Sequence, residues 1–340
     1  MTPKNIHTPP FTLSATAISQ IADIAALSER FVIRMSQPDT LLLRRANKIK
    51  SIHSSLAIEG NTLSEEQVSD ILNGKTVVAP PRQIQEVKNA INAYDLYPKL
   101  DPFSSDALLL AHKTMMLALI DEPGAFRPGN VGVMEGKRVV HMAPPAARVP
   151  ALIHDLFSWL KSAPDHLLVK SCVFHYEFEF IHPFTDGNGR MGRLWQSLIL
   201  GQWNPVFQFL PVENMVHDNQ QRYYNAINAS TSAGNSGPFI DFMLGEIKKT
   251  LKRKITENEG INEGINEGIN DTARRILRVL ANTPDATVAE IAERIGKSEK
   301  TVEANLKKLR DNKRLRRIGA KKNGRWEILP VPHKTKDEIK

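Results

Sequence analysis

His182-Pro183-Phe184-Thr185-Asp186-Gly187-Asn188-Gly189-Arg190-Met191-Gly192-Arg193 forms a short bend between two segments of helical periodicity, 167–181 and 189–203. Pro183 disfavours helical backbone at the residue before it, so the first helix ends at His182. Gly187 and Gly189 accept backbone torsions that other residues resist, which lets consecutive amides point to one side. Those amides open the next helix, whose positive dipole end adds to them. The combination is an anion nest suited to phosphate. Arg190 and Arg193, three apart, are expected on one helix face, where both can grip phosphate oxygens. Asp186 offers a hard oxygen to Mg²⁺, which takes one or two carboxylates and fills its shell with phosphate oxygens. His182 stands at the mouth of the bend, and imidazole is suited to taking a proton from a hydroxyl near neutral pH. The set fits in-line attack on a nucleotide phosphate, with His182 as base and metal, nest and arginines as charge stabilisers.

Outward from the bend the pattern is helical almost throughout. Residues 41–57 carry helical periodicity that Gly60 and Asn61 stop, and Ser64 with Gln67 reads as a capping box opening a helix to about Leu72. Further helices are expected at 83–97, 105–119, 149–160, 219–229 and 238–252. The exception is a pair of β-like runs, 131–134 and 138–142, separated by Glu135, Gly136 and Lys137, which predicts a hairpin. Residues 257–270 repeat Asn-Glu-Gly-Ile. Each glycine costs roughly 1 kcal/mol inside a helix, so this stretch is expected to be a linker, helical only when packed through Ile261, Ile265 and Ile269.

Beyond the linker, 271–281 and 287–295 read as helices. Gly296 then makes a turn, and Ser298 caps a third helix to Asn312. Strand-like runs at 315–318 and 325–329 follow, joined by a loop with two lysines. Helix, turn, helix and basic hairpin together resemble a winged-helix domain, whose second helix enters the major groove in DNA binders while the wing touches phosphate. Lys300, Asn305 and Lys308 are expected to be exposed on that helix, beside Glu299 and Glu303.

Composition agrees with a soluble globular chain of two or three domains. The 340 residues are 41% hydrophobic and 24% charged, enough apolar material for a core and unlike collagen or a fully disordered chain. The single cysteine, Cys172, rules out an internal disulfide framework and a Cys-based zinc cage. No apolar run reaches the length of a membrane span, and the opening residues lack a secretory pattern. A cytoplasmic location is expected. The net charge of +8 is uneven. Residues 271–340 hold 19 of the 45 Lys and Arg but 10 of the 37 Asp and Glu, so that stretch carries +9 and the rest −1. Such a basic region is either a solvated surface or a site for an acidic partner such as DNA.

The motif His-Pro-Phe-x-Asp-Gly-Asn-Gly-Arg-x-x-Arg, met here at every fixed position from His182 to Arg193, resembles the signature of Fic-domain proteins. The resemblance extends over about 100–251. It implies a mainly α fold, a helical bundle with a β-hairpin flap, joined here to the winged helix-turn-helix domain. It also implies protein adenylyltransferase activity, the transfer of AMP from ATP to a Tyr, Thr or Ser hydroxyl of a target protein and of the chain itself. His182 would then be catalytic, and Asp186 would hold Mg²⁺. Gly187, Asn188 and Gly189 would hold the phosphates, with Arg190 and Arg193 at their β/γ end and Phe184 buried beneath the loop. The intact glycines separate this chain from the phosphate-transferring Doc type, but AMP removal or transfer of another nucleotide stays open, as does a nucleotide-sensing DNA-binding regulator.

By the same resemblance Val139, Val140, His141 and Met142 form the flap strand that docks the target, and Tyr223 and Tyr224 lie on the adenine side. Glu177 and Glu179 are expected to be structural or solvent-facing and His175 to be a core histidine. Ser55-Leu56-Ala57-Ile58-Glu59-Gly60 resembles the inhibitory-helix pattern of the family class with an N-terminal brake. Glu59 would pair with Arg193 where a γ-phosphate would sit, with Ser55 steadying the helix. The implied organisation is an N-terminal helical region at 1–99 with the inhibitory helix near 45–60, a catalytic core at 100–251, a linker at 252–270, the winged helix at 271–330 and a tail at 331–340. The partners left open are an unknown target protein, a second copy of the chain, and DNA at 271–330, with no membrane.

Overall fold

A computed structural model describes residues 7–35, 40–135, 138–210, 212–266, 270–319 and 324–329. Outside the described residues lie the flap tip at 136–137, the side chains of Val139 and Val140, the repeat's isoleucines, the wing tip at 320–323 and the tail. The chain forms two compact units, one of residues 1–36 and 44–252 and the other of 37–43 and 253–340.

In the first unit the elements are α1 (Ala15–Met35), α2 (Thr40–Ile58), α3 (Glu65–Leu72), α4 (Pro81–Asp95) and α5 (Ser105–Met116), then β1 (Gly132–Glu135) and β2 (Arg138–Met142). They are followed by α6 (Val149–Ser162), α7 (Leu167–Ile181), α8 (Asn188–Trp203), α9 (Val212–His217) and α10 (Gln220–Ala233). The last helix is α11 (Gly237–Asn266). The core is the hairpin of α7 and α8. Val169, Cys172, Val173, Phe174 and Phe178 of α7 are buried, as are Met191, Leu194, Trp195, Leu198 and Ile199 of α8. Helices apolar on every side belong in the middle of a bundle, and this one places the bend between them at one end of the core.

Local signals set several boundaries. Ser64 accepts a bond from the Gln67 amide while the Gln67 side chain reaches back to the Ser64 amide, the capping box expected there. β1 and β2 pair antiparallel, with Gly132 opposite Met142 and a bulge between Val133 and Met134. Helix α1 has no counterpart in the sequence reading. Its buried residues, Ala17, Ile24, Ser28 and Phe31, recur at spacings of seven, four and three, and the Ser14 hydroxyl caps it at the Ala17 amide. The expected linker begins as helix, because α11 continues through Glu257 to Asn266.

The second unit comprises α12 (Asp271–Asn282), α13 (Val288–Ile295), α14 (Glu299–Asp311) and an antiparallel pair, β3 (Leu315–Ile318) and β4 (Arg325–Ile328). Ile276, Leu277, Leu280, Ile291, Val302, Leu306, Leu309 and Trp326 make its own core. Lys300, Lys307, Lys308, Lys313 and Arg325 are exposed. Asn305, expected at the surface, is instead buried, and its Nδ2 donates to the Thr301 carbonyl at 2.8 Å. Among the described residues no helix is long and apolar enough to cross a membrane.

Candidate active site

Helix α7 ends where Pro183 requires it. His182 adopts a left-handed backbone, φ 51° and ψ 60°, and its amide still reaches the Phe178 carbonyl at 2.9 Å. A non-glycine residue held there is strained, so its surroundings must enforce it. Phe184 is fully buried and stacks on His112, with ring centroids 3.6 Å apart and planes 5° from parallel. Burying a phenylalanine side chain contributes roughly 1.5–3 kcal/mol, so the ring pins the loop down as expected. His112, which the sequence reading passed over, does more than stack. Its Nδ1 accepts from the Gly124 amide at 2.9 Å, leaving Nε2–H to donate to the Asp186 carbonyl at 3.0 Å. Both nitrogens are used by a neutral ring, and burial pushes its pKa down to about 4.

Gly187, at φ 87°, precedes α8, and a Cβ there would lie 2.8 Å from the Met116 sulfur. The first amides of α8 have no carbonyl partner within the helix, which makes its start a nest for an anion. Asn188 bears on this differently from expectation. Its side chain is buried and folds back on Phe184, accepting from that amide at 2.9 Å and donating to that carbonyl at 2.8 Å. Only its main-chain amide is left for a ligand.

The two arginines of the motif separate. Arg190 donates to Asp186 Oδ1 at 2.9 Å, and the Gly187 amide donates to the same oxygen at 2.6 Å. Arg193 instead donates to Glu59 Oε1 at 2.8 Å and to the Ser55 carbonyl at 3.1 Å, with the Ser55 hydroxyl at 3.3 Å. Its guanidinium is 1% exposed. Burial opposes its charge, but the Glu59 carboxylate, together with Tyr223 and Glu179, offsets burial and holds its pKa above the ordinary arginine value. A Cβ on Gly189 would fall 2.7 Å from Glu59 Oε1, so the carboxylate lies directly on the first turn of α8. The sequence pairing of Ser55 and Glu59 with the motif is therefore a physical contact.

Behind the nest, Glu179 is mostly buried, 3.8 Å from His175 Nε2, and burial pushes its carboxyl up to about 7; Glu177 is raised to about 7 by the same cause. His175 is a core histidine. Its Nδ1 lies 2.5 Å from Gln196 Oε1 and its Nε2 3.0 Å from the Tyr223 hydroxyl. Tyr223, read as an adenine-side residue, is 2% exposed and packed on Phe239, which makes it a core residue rather than a ring free to cover a base. Tyr224 remains 38% exposed, beside Gln220.

His141 of the flap lies 2.8 Å from the Phe180 carbonyl through Nε2 and packs on the Phe180 ring, while Met142 is 66% exposed. Arg127, also missed in the sequence, is buried below the flap and donates to the carbonyls of His182 at 2.8 Å and Gly129 at 2.7 Å, and to that of Pro144. His182 itself is pushed below the ordinary histidine value. Burial is the main cause, with the charge of Arg127 acting in the same direction and the Glu179 carbonyl opposing. A lowered pKa keeps the imidazole unprotonated at neutral pH, the form that accepts a proton.

A lone exposed carboxylate suits a magnesium ion that brings phosphate oxygens with it. Asp186 is one hard carboxylate, 40% exposed on its side chain, and among the described residues no three His, Cys, Asp or Glu side chains cluster to hold an ion.

Fold and bend define a mainly helical protein with a glycine-rich turn between its two central helices and a C-terminal winged helix-turn-helix domain. The Fic/DOC family model matches residues 102–200 and a winged helix-turn-helix DNA-binding model matches 269–313. A solved Fic family protein from Desulfovibrio desulfuricans G20 is 36% identical, with a TM-score of 0.70, over 95% of this chain and 98% of that one. The chain belongs to the Fic family. It is also 28% identical over 216 residues to protein adenylyltransferase fic-1 of Caenorhabditis elegans, covering 60% of this chain, and 29% identical over 230 residues to protein adenylyltransferase Fic of Aedes aegypti, covering 62%. It spans only 40% and 43% of the length of those two relatives.

Proposed function

We propose that the chain is an autoinhibited protein adenylyltransferase that uses ATP with Mg²⁺. Unprotonated His182 takes the proton of a Tyr, Thr or Ser hydroxyl on a target protein or on the chain itself. The hydroxyl oxygen bonds to the α-phosphorus, the bond from that phosphorus to the bridging oxygen breaks, and pyrophosphate leaves. The amides of Gly187, Asn188 and Gly189 would hold phosphate oxygens at the start of α8, and Arg190, released from Asp186, and Arg193, released from Glu59, would take the β/γ end. Asp186 would hold the magnesium, which when bound neutralises phosphate charge. The β1–β2 flap would receive the target as an added strand. The observation that carries the reading is the intact motif folded as one bend, with His182 at its mouth and a carboxylate already seated on Arg193. Glu59 is the brake in this reading, occupying the charge that a γ-phosphate needs.

Label position tests the reaction class. With Glu59 replaced by glycine, α-³²P from ATP is expected to stay on protein and γ-³²P to be lost. Retained γ-label would mean phosphorylation, and retention of neither would favour AMP removal or nucleotide sensing.

A second reading concerns the winged-helix unit alone. The exposed Lys300 and Lys308 on α14 and Arg325 on the hairpin favour contact with DNA phosphates. The full chain is expected to shift duplex DNA at low salt, and K300E with K308E is expected to weaken that shift about ten-fold or more. No shift at low salt would assign the unit to protein docking.

A further inference from the structure

We infer that Arg127 is a positioning residue that locks the root of the flap to the bend carrying His182, so that docked strand and base move as one piece. The inference deepens the transfer reading and rests on it for its catalytic meaning. Arg127 is 3% exposed, yet its described hydrogen bonds go to main-chain carbonyls and not to a carboxylate. Leaving a guanidinium buried without an anion is costly, and burial pushes its pKa down. What it gains is a fork joining segments far apart in the chain. Nε donates to the His182 carbonyl at 2.8 Å, and Nη1 to Gly129 at 2.7 Å, just before β1. Nη2 donates to Pro144, just after β2, and reaches the Ile181 carbonyl at 3.4 Å. The Arg127 amide adds a bond to the Pro183 carbonyl at 2.9 Å.

Both ends of the hairpin and both sides of the α7 terminus thus meet on one planar group. The carbonyls of Ile181 and His182 are among those the end of α7 leaves without helical partners, and a cation is a favourable occupant there. Lysine could supply the charge but not the fork, because one ammonium cannot present the same planar set of donors. The second consequence is electrostatic. The guanidinium beside His182 disfavours a second positive charge on the imidazole, so it helps keep the base unprotonated.

The test uses the full chain without nucleotide, in the parent, R127K and R127Q. Amide hydrogen exchange over 131–143 is expected to quicken roughly ten-fold in both variants, while exchange in α12 to α14 stays as in the parent. The His182 ring titration, followed by NMR and assigned by its loss in H182A, is expected to rise by roughly half a pH unit in R127Q and less in R127K. Flap exchange unchanged in both variants, or a His182 midpoint unmoved in R127Q, overturns the inference. If R127Q does not fold, the flap exchange of R127K decides alone. In the Glu59→Gly background, self-labelling by R127K is expected to lose roughly ten-fold in maximal rate with the KM for ATP within about two-fold, as misplacement rather than lost nucleotide binding predicts. A parent that never labels itself defeats the transfer reading, and the exchange and titration results still judge Arg127.

Discussion

Glu59→Gly is expected to raise self-labelling and target labelling from α-labelled ATP by roughly ten-fold or more, the change that an allosteric or autoinhibitory coupling of about 1–3 kcal/mol spans. The physical ground is competition for one cation. Arg193 is nearly sealed from water and its charge is already matched by Glu59. A triphosphate arriving at α8 must either displace that carboxylate or bind without Arg193, and a nucleotide held short of its anchor cannot align its α-phosphate with the attacking oxygen. With the carboxylate gone, Arg193 keeps its contacts to Ser55 and loses the carboxylate that bonds it directly. The variant is therefore also expected to unfold at lower temperature than the parent and to recover more than the parent on adding ATP with Mg²⁺, because ligand binding stabilises the state that binds it. Differential scanning fluorimetry checks this alongside the label. Labelling equally low in parent and variant, with a competent target present, would end the brake reading.

His182→Ala in the Glu59→Gly background is expected to remove labelling, a loss on the order of 10²–10⁴-fold for a general base. Nucleotide binding should survive, because the nest, Asp186 and the arginines are untouched. Calorimetric titration with ATP separates the two effects, and labelling that persists at the parental rate would deny His182 the role of base. The pH dependence follows the same residue. Its pKa is lowered, first by burial and then by neighbouring cationic charge. Activity that needs the unprotonated ring is thus present above that lowered value and fades only when pH falls through it. The acid limb of kcat/KM is expected below the midpoint of a free imidazole at about 6.5.

The bend was legible because its chemistry is contiguous: proline, three glycines, an aspartate and two arginines within twelve residues leave few other arrangements. Helix α7 was expected at 167–181 and lies there, since a buried apolar run meeting His182-Pro183 has one place to stop. What escaped the reading acts across distance through backbone atoms. Arg127 meets carbonyls 54 and 55 residues away and His112 meets one 74 residues away, and carbonyls leave no mark in a side-chain pattern. Tyr223 and Asn305 were misplaced for another reason. A helical position has a face, and only the packed neighbours decide whether that face is covered. Helix α1 carried its signal in residues 17, 24, 28 and 31, diluted by alanines that are compatible with either surface or core. In α11 helical continuity overrode the preference of its glycines.

Glu59 and Arg193 stand 134 positions apart on a single polypeptide. Their encounter is intramolecular, so its strength is an effective concentration fixed by the architecture and independent of how much protein a cell makes. Dilution cannot weaken it and crowding with further copies cannot saturate it. An agent that competes with Glu59 for Arg193, or that alters the charge at this contact, would move that balance.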